Sequence, residues 1–422
     1  MTIPDLALHG GDPVRGDPLI FGAPLIGEEE INEVVATLRS GWIGFGPKCQ
    51  QFESAFASYI NRPYTVSLSS CTAALQLALT ISEVKAGDEV LTTPFTFAAT
   101  VNMIEMVGAE PVFVDIERDT QNIDVDLLKC AVTARTRAVI PVHMYGRPCR
   151  MEALLDMAEE HDISVIEDSA HAVESHRDVP AGARTSRFAA FSFYATKNLT
   201  TGEGGMLACA RPDDAERARR LRLHGLAADA WKRYSAAGWK PFEVIEPGYK
   251  YNMTDLQASL GLHQLARLDR SLSVRERHWA AYDHAFSDLE EVEIPAPPDG
   301  GHRHSRHLYT LILRPERLTV PRSAIIDALR AEGVGTGVHF HPLHLHPYYA
   351  EKYGYRRGMF PNAELVGDNT ISLPMSARLS EGDVADVIHA VRKVLMAYRT
   401  VQVPAMRTWS GSEGTVDEHE HA

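Results

Sequence analysis

The sequence predicts an α/β fold: a mostly parallel central sheet covered by helices on both faces, followed by a smaller C-terminal α+β unit. Three observations predict it. From Tyr64 to about Ala210, short apolar runs alternate with segments of helical spacing, as repeated strand–helix–strand units require. The stretch Pro295-Ala296-Pro297-Pro298-Asp299-Gly300-Gly301 then breaks the pattern, because Gly and Pro end regular structure. Beyond it a fresh series begins, with Leu308–Leu313 as a strand and Arg322–Glu332 and Asp383–Ala397 as helices. The expected division is an N-terminal arm over 1–25, a large domain over 26–275, a small C-terminal domain over 276–400 and a disordered tail over 401–422.

The arm is rich in Gly and Pro, as in Gly10-Gly11-Asp12-Pro13, and reads as extended chain. Ile31, Val34, Val35 and Leu38 share one face of a helix over Glu28–Leu38, which stops at Ser40-Gly41, a normal C-terminal signal. A second helix covers Gln50–Ile60. Strands follow at Tyr64–Leu68, Glu89–Thr92, Pro111–Val114, Ala138–Val142 and Ile163–Ile166, with helices at Thr72–Thr80, Ala98–Met106, Val125–Ala131 and Glu152–His161 between them. An aromatic-rich strand, Phe188–Phe193, and the strand Met206–Cys209 close the series. Next come a charged helix over Asp213–Leu223, a loop holding Trp231, Tyr234 and Trp239, and helices over Asp255–Leu268 and Arg275–Ser287. No internal repeat is present.

The chain has 422 residues, a formal net charge of −14 and 45% hydrophobic residues, enough for an enzyme-sized core. The acidic balance argues against a non-specific grip on nucleic acid or an anionic membrane, both of which need basic surface. Five scattered cysteines, Cys49, Cys71, Cys130, Cys149 and Cys209, form no C-x-x-C pair and fit free thiols in a reducing compartment. The first residues have neither a basic nor an apolar signal region, and no apolar run approaches membrane-spanning length. A cytoplasmic protein is expected.

Lys197 ends the apolar run Phe188–Ala195 and opens the glycine-rich turn Gly202-Glu203-Gly204-Gly205. A lysine at the lip of a buried sheet is poorly hydrated, which lowers its pKa and makes the amine a nucleophile. The alternative is a surface lysine beginning a loop. Ser69-Ser70-Cys71-Thr72 follows a strand and opens a helix, where free N–H groups and the helix dipole favour a phosphate; an ordinary helix cap is the alternative. Glu167-Asp168-Ser169-Ala170-His171 ends another strand. A buried Asp168 needs a partner, such as a pyridinium N–H, an arginine or a helix start. For His171 the alternative is a hydrogen-bonded core histidine, and for Phe97 a core phenylalanine instead of a stacking surface.

The cluster His339, His341, His344 and His346 invites a metal reading, but no cysteine is near and Pro342 interrupts it. A loop lining a polar substrate pocket is preferred. Gly44-Phe45-Gly46 lacks a preceding strand and a third glycine, and Lys197 precedes its glycines, so the dinucleotide and P-loop motifs both fail.

The order of these elements resembles the DegT/StrS family, the pyridoxal-phosphate-dependent sugar aminotransferases of fold type I. The matches are Ser70-Cys71-Thr72, Phe97, Glu167–His171 and Phe191-Ser192-Phe193-Tyr194-Ala195-Thr196-Lys197. They extend from Leu8–Gly11 through Gly248–Asp255 and Gly337–Phe340 to Leu373-Pro374 and the final helix. The resemblance implies pyridoxal 5'-phosphate held as a Schiff base on Lys197, which then acts as proton carrier. It implies Asp168 on the pyridinium nitrogen, Phe97 over one ring face and His171 near the ring oxygen. The phosphate would lie on Cys71, Thr72 and Ser192, with Asn252 reaching over from the second subunit of a homodimer. Where the family usually has Gly-Thr, this chain has Cys71-Thr72, and the thiol's own role is open.

The implied substrates are an amino acid donor, most often glutamate, and a nucleotide-diphosphate keto-sugar, contacted by Lys250 and His339. Lys250-Tyr251-Asn252-Met253-Thr254-Asp255 looks more like enzymes that aminate C-4 of a 4-keto-6-deoxyhexose than like those acting at C-3. The rivals are a C-3 aminotransferase of the same family and a non-catalytic regulatory dimer that binds the cofactor without turnover.

Overall fold

A strand buried on both faces must be apolar throughout, and the runs marked as strands meet that condition. In a computed structural model, which describes residues 5–177, 185–227, 243–298 and 302–400, they form one seven-stranded sheet. Its strands are β1 (Tyr64–Leu68), β2 (Glu89–Thr92), β3 (Glu110–Phe113), β4 (Thr136–Ile140), β5 (Ser164–Asp168), β6 (Phe188–Ser192) and β7 (Gly205–Cys209), in the order β1-β7-β6-β5-β4-β2-β3. The run from β3 through β6 is parallel, and β7 lies antiparallel to both β6 and β1. The reversal follows from the connection. Residues 193–204 form a turn with no helix, and a parallel return needs a crossover.

The sheet alternates faces residue by residue. Phe188, Ala190, Leu207 and Cys209 pack against α3 (Cys71–Ile81) and α7 (Pro212–Leu221). Ala189, Phe191, Met206 and Ala208 pack on the other face against α2 (Pro47–Tyr59) and α8 (Asp255–Ala266). Leu91, Val139 and Val165 meet α5 (Val125–Ala131) and α6 (Met151–Glu160). The expected two-sided cover is present. The remaining helices of this part are α1 (Glu28–Ser40), α4 (Ala98–Met106) and α9 (Leu268–Phe286). Helix α9 runs unbroken through residue 275, the boundary expected between the large and the small domain.

A second, antiparallel sheet has the order β10 (Thr370–Leu373), β9 (Tyr309–Leu313), β8 (Val292–Glu293). Its core joins Leu311, Leu329, Ile371, Val387 and Val391 to Trp279 and Phe286 of α9. Helices α10 (Arg322–Ala331), α11 (Pro347–Tyr353), α12 (Pro361–Asn369) and α13 (Glu381–Tyr398) complete it. Helix α13 starts at a reciprocal cap between Ser380 and Asp383, which satisfies two end N–H groups. The arm docks here. Leu6 joins this core, Ala7 and Val14 donate their N–H groups to Glu332 at 2.9 and 3.0 Å, and Leu19 bridges to Val334.

The short elements β8, β10, α11 and α12 are absent from the sequence reading. Trp231, Tyr234, Trp239 and the tail 401–422 lie outside the described residues. No helix among the described residues is long and apolar enough to cross a membrane.

Candidate active site

Strand ends, one helix start and one turn converge on a cavity of about 480 Å³, a volume in the usual range for a small-molecule site. Helix α3 supplies its first turn. The Ser70 side chain caps the helix by accepting from the Ala73 N–H at 3.1 Å, while the Cys71 and Thr72 N–H groups belong to the unpaired donors of a helix start. Strand β7 presses against this turn. A Cβ on Gly205 would lie 2.3 to 2.5 Å from backbone atoms of Ser70 and Cys71, so only glycine allows the approach.

The turn after β6 sets Lys197. Phe193 N–H donates to Gly204 O, Thr201 N–H to Phe193 O, and Lys197 N–H to Tyr194 O, each at 2.9 Å. The lysine side chain lines the cavity with Cys71 and Asp168. Burial lowers its pKa to about 8, against the opposing pull of Asp168 and Cys71. About a tenth of the amine is therefore neutral at pH 7, and about half at pH 8.

Asp168 ends β5 on the face opposite Glu167. Its carboxylate accepts from Thr100 Oγ1 at 2.8 Å and from the Ala170 N–H at 3.1 Å. It forms no arginine pair among the described residues. Burial pushes its pKa up, only partly offset by Thr100, the Ala170 N–H and Lys197. An acid in this state gains by meeting a cationic N–H donor.

The cavity also receives Thr72, Phe97, His171, Ser192 and His339. Phe97 is 63% exposed, which removes the core-phenylalanine alternative. His171 is buried with Nδ1 unpartnered, unlike a satisfied core histidine, and burial holds its pKa well below normal. His339 bonds Ser372 Oγ through Nδ1 at 2.8 Å and stacks on Phe21. Burial, then the Lys197 charge, lowers its pKa to about 4. The Cys71 thiol is buried at the cavity edge and its pKa is raised by burial first and by Asp168 second, so it is a weak nucleophile.

Two anticipated residues stand apart from this cavity. Lys250 is exposed and does not line it. Asn252 bridges to Leu68, donates to Met253 O at 3.1 Å and leaves Oδ1 without a partner. The other histidines of the 339–346 run diverge from the cavity. His344 bonds Glu364 at 2.9 Å, and His341 lies against His346. Thr100 and His307 line the cavity without having been anticipated, and Phe340 joins His339 there from the run expected to line a pocket. Thr100 looks like any helical threonine in sequence, and His307 precedes a strand with no motif around it.

The residues present fit a phosphorylated pyridine. A helix start offers N–H groups for the phosphate, a buried acid faces the ring space, a flat apolar side chain stands free, and an amine of lowered pKa is within the same cavity. Comparison with known proteins agrees. The pattern of the DegT/DnrJ/EryC1/StrS aminotransferase family matches residues 24–392. The spore coat polysaccharide biosynthesis protein SpsC of Bacillus subtilis is 48% identical over 382 residues, covering 90% of this chain and 98% of that protein. The PLP form of Spr1654 from Streptococcus pneumoniae is 36% identical, with a TM-score of 0.82 over 90% of this chain and 98% of that one. The sugar aminotransferase CalS13 from Micromonospora echinospora is 28% identical, with a TM-score of 0.78 over 88% of this chain and 99% of that one. The chain belongs to the DegT/DnrJ/EryC1/StrS aminotransferase family and is a pyridoxal-phosphate-dependent sugar aminotransferase of fold type I.

Proposed function

We propose that this sugar aminotransferase moves an amino group from glutamate to C-4 of a nucleotide-diphosphate 4-keto-6-deoxyhexose. The observation that carries the catalytic part is the shared cavity of Lys197 and Asp168 beside the open first turn of α3. When bound, pyridoxal phosphate supplies an electron sink and a place to park the amino group between half-reactions.

The chain's own residues do the rest. Lys197 Nζ would hold the cofactor covalently and, once displaced from it by the donor's amine, would serve as the free amine that carries the α-carbon proton. Asp168, kept in place by Thr100, stabilises the protonated ring nitrogen. Phe97 would cover one ring face, and His171 would lie near the ring oxygen. The N–H groups of Cys71 and Thr72, with Ser192, hold the phosphate. Contact through backbone N–H makes the replacement of glycine by Cys71 tolerable, since its side chain packs partly into the core.

The C-4 assignment is supported by the stretch Lys250–Asp255. In this reading the protein is a homodimer, and Asn252 and Lys250 serve the partner's cavity; the position of both outside their own cavity and the unpartnered Asn252 Oδ1 support it. His339 contacts the sugar nucleotide. The five unpaired thiols suit a cytoplasmic enzyme.

The test is optical and chemical. Purified protein with pyridoxal phosphate is expected to show a visible cofactor band that glutamate bleaches and Lys197→Ala abolishes. A wild type that stays colourless sinks the catalytic assignment. Incubation with 3-keto and 4-keto sugar nucleotides, followed by NMR location of the new amine, checks the regiochemistry; amination at C-3 overturns C-4.

A further inference from the structure

Asn198 follows Lys197 directly, and its side chain fixes the protonation of a neighbouring histidine. The Asn198 amide nitrogen donates to both carboxylate oxygens of Glu174, at 3.1 Å each, and to Ser305 O at 2.8 Å. Glu174 is fully buried and paired with the buried Arg275. All three partners of the amide nitrogen are acceptors, so the amide cannot be turned over. Its Oδ1 therefore faces His307 Nδ1, at 3.0 Å, and Nδ1 must be the donor. A neutral imidazole protonated at Nδ1 has a lone pair on Nε2.

His307 is 4% exposed, lines the cavity, and places its ring 4.4 Å from that of His171. Burial, then the nearby Lys197 charge, holds its pKa well below normal, so the ring stays neutral. His171 and His339 on the same wall are held neutral in the same way. Among the described residues lining the cavity, Lys197 is the sole lysine or arginine. A carboxylate at His307 Nε2 would meet a lone pair and could form no hydrogen bond to it, whatever cation lies elsewhere in the cavity. A hydroxyl would bring the donor that the lone pair lacks.

We propose that His307 Nε2 accepts a hydrogen bond from a hydroxyl of the sugar substrate, with Asn198 as the positioning residue that keeps this lone pair available. The proposal rests on the sugar aminotransferase reaction, not on which carbon receives the amine. An enzyme that aminates C-3 fails the regiochemical reading and leaves this one open to the same test.

The experiment uses holoenzyme and follows each half-reaction separately by stopped-flow absorbance. Glutamate serves for the first. The keto-sugar nucleotide that the wild type aminates serves for the second. His307→Asn retains a donor toward Asn198 and removes the acceptor. His307→Gln places an amide oxygen near the position of Nε2. We expect His307→Asn to slow the sugar half-reaction about 100-fold more than the glutamate half-reaction, and His307→Gln to stay within about tenfold of wild type. Equal slowing of both half-reactions by His307→Asn overturns the proposal, as does a His307→Gln variant no better than His307→Asn. A loss confined to the glutamate half-reaction assigns the hydrogen-bond donor to the amino acid and overturns it too.

Discussion

Thr100 Oγ1 donates to Asp168 Oδ2 at 2.8 Å and ties helix α4 to the carboxylate in the cavity. The Thr100 hydroxyl has one hydrogen, so the neighbouring Thr96 hydroxyl, 3.0 Å away, must donate to Thr100 in turn. Replacing Thr100 with Val removes a donor from a buried acid whose pKa burial already raises. Stability is expected to fall by about 1–3 kcal/mol in denaturant titration. Because the loss raises the Asp168 pKa further, the acid limb of the pH–activity profile should move to higher pH. An unmoved limb would show that this bond does not govern Asp168.

Cofactor uptake should report the state of Lys197 directly. Its amine attacks only when neutral, and its pKa is about 8. The rate at which cofactor-free protein develops the visible band should rise about tenfold per pH unit below 8 and level off above it. The cofactor-free protein should also gain stability between pH 8 and the ordinary lysine pKa. In that window the unfolded chain binds the proton that the folded one has released. Lys197→Met should abolish this gain.

Gly205→Ala tests the contact between β7 and the start of α3. A methyl group there meets the Ser70 and Cys71 backbone at 2.3 to 2.5 Å, and backbone yields less readily than a side-chain tip. The expected cost is about 1–3 kcal/mol of stability. Cofactor affinity, measured by fluorescence titration, should weaken by more than for an alanine at Gly44, where a Cβ meets nothing within 4 Å and φ is not in the left-handed region.

Glu167 faces away from the cavity into a buried network. It bonds His143 Nε2 at 2.7 Å and Ser186 Oγ, and lies 3.7 Å from Arg62. Burial pushes the carboxyl up, but His176, His143 and Arg62 outweigh it and hold the pKa well below normal. Its stabilisation is therefore present above the ordinary glutamate pKa and lost as pH falls below it. Glu167→Leu should cost about 3–5 kcal/mol near pH 7, because it strands buried cations and donors. The gap from wild type should narrow in acid unfolding. A gap independent of pH would contradict the ionic role.

Lys197, Asp168, Cys71, Thr72, Phe97 and His171 could be singled out in the sequence because each sits at or just past an apolar strand, or at the helix start that follows one; Ser192 came only with the family resemblance. Local periodicity marks such places. Thr100, Asn198 and His307 could not be found this way. Thr100 matters through a bond across 68 positions, and Asn198 through one across 109. No local pattern carries either.

By itself the sequence determined the alternation of strands and helices, the two-sided burial of the sheet, and the lysine, acid and helix start of the cavity. These follow from hydrophobic spacing and from the chemistry of strand ends. Only the tertiary structure decided that β7 runs backwards, that the arm docks on the C-terminal core, and that Asn198 locks His307 beside Lys197. Those outcomes depend on which distant segments pack together, and such packing is settled by the whole folded chain and not by the periodicity of any one segment.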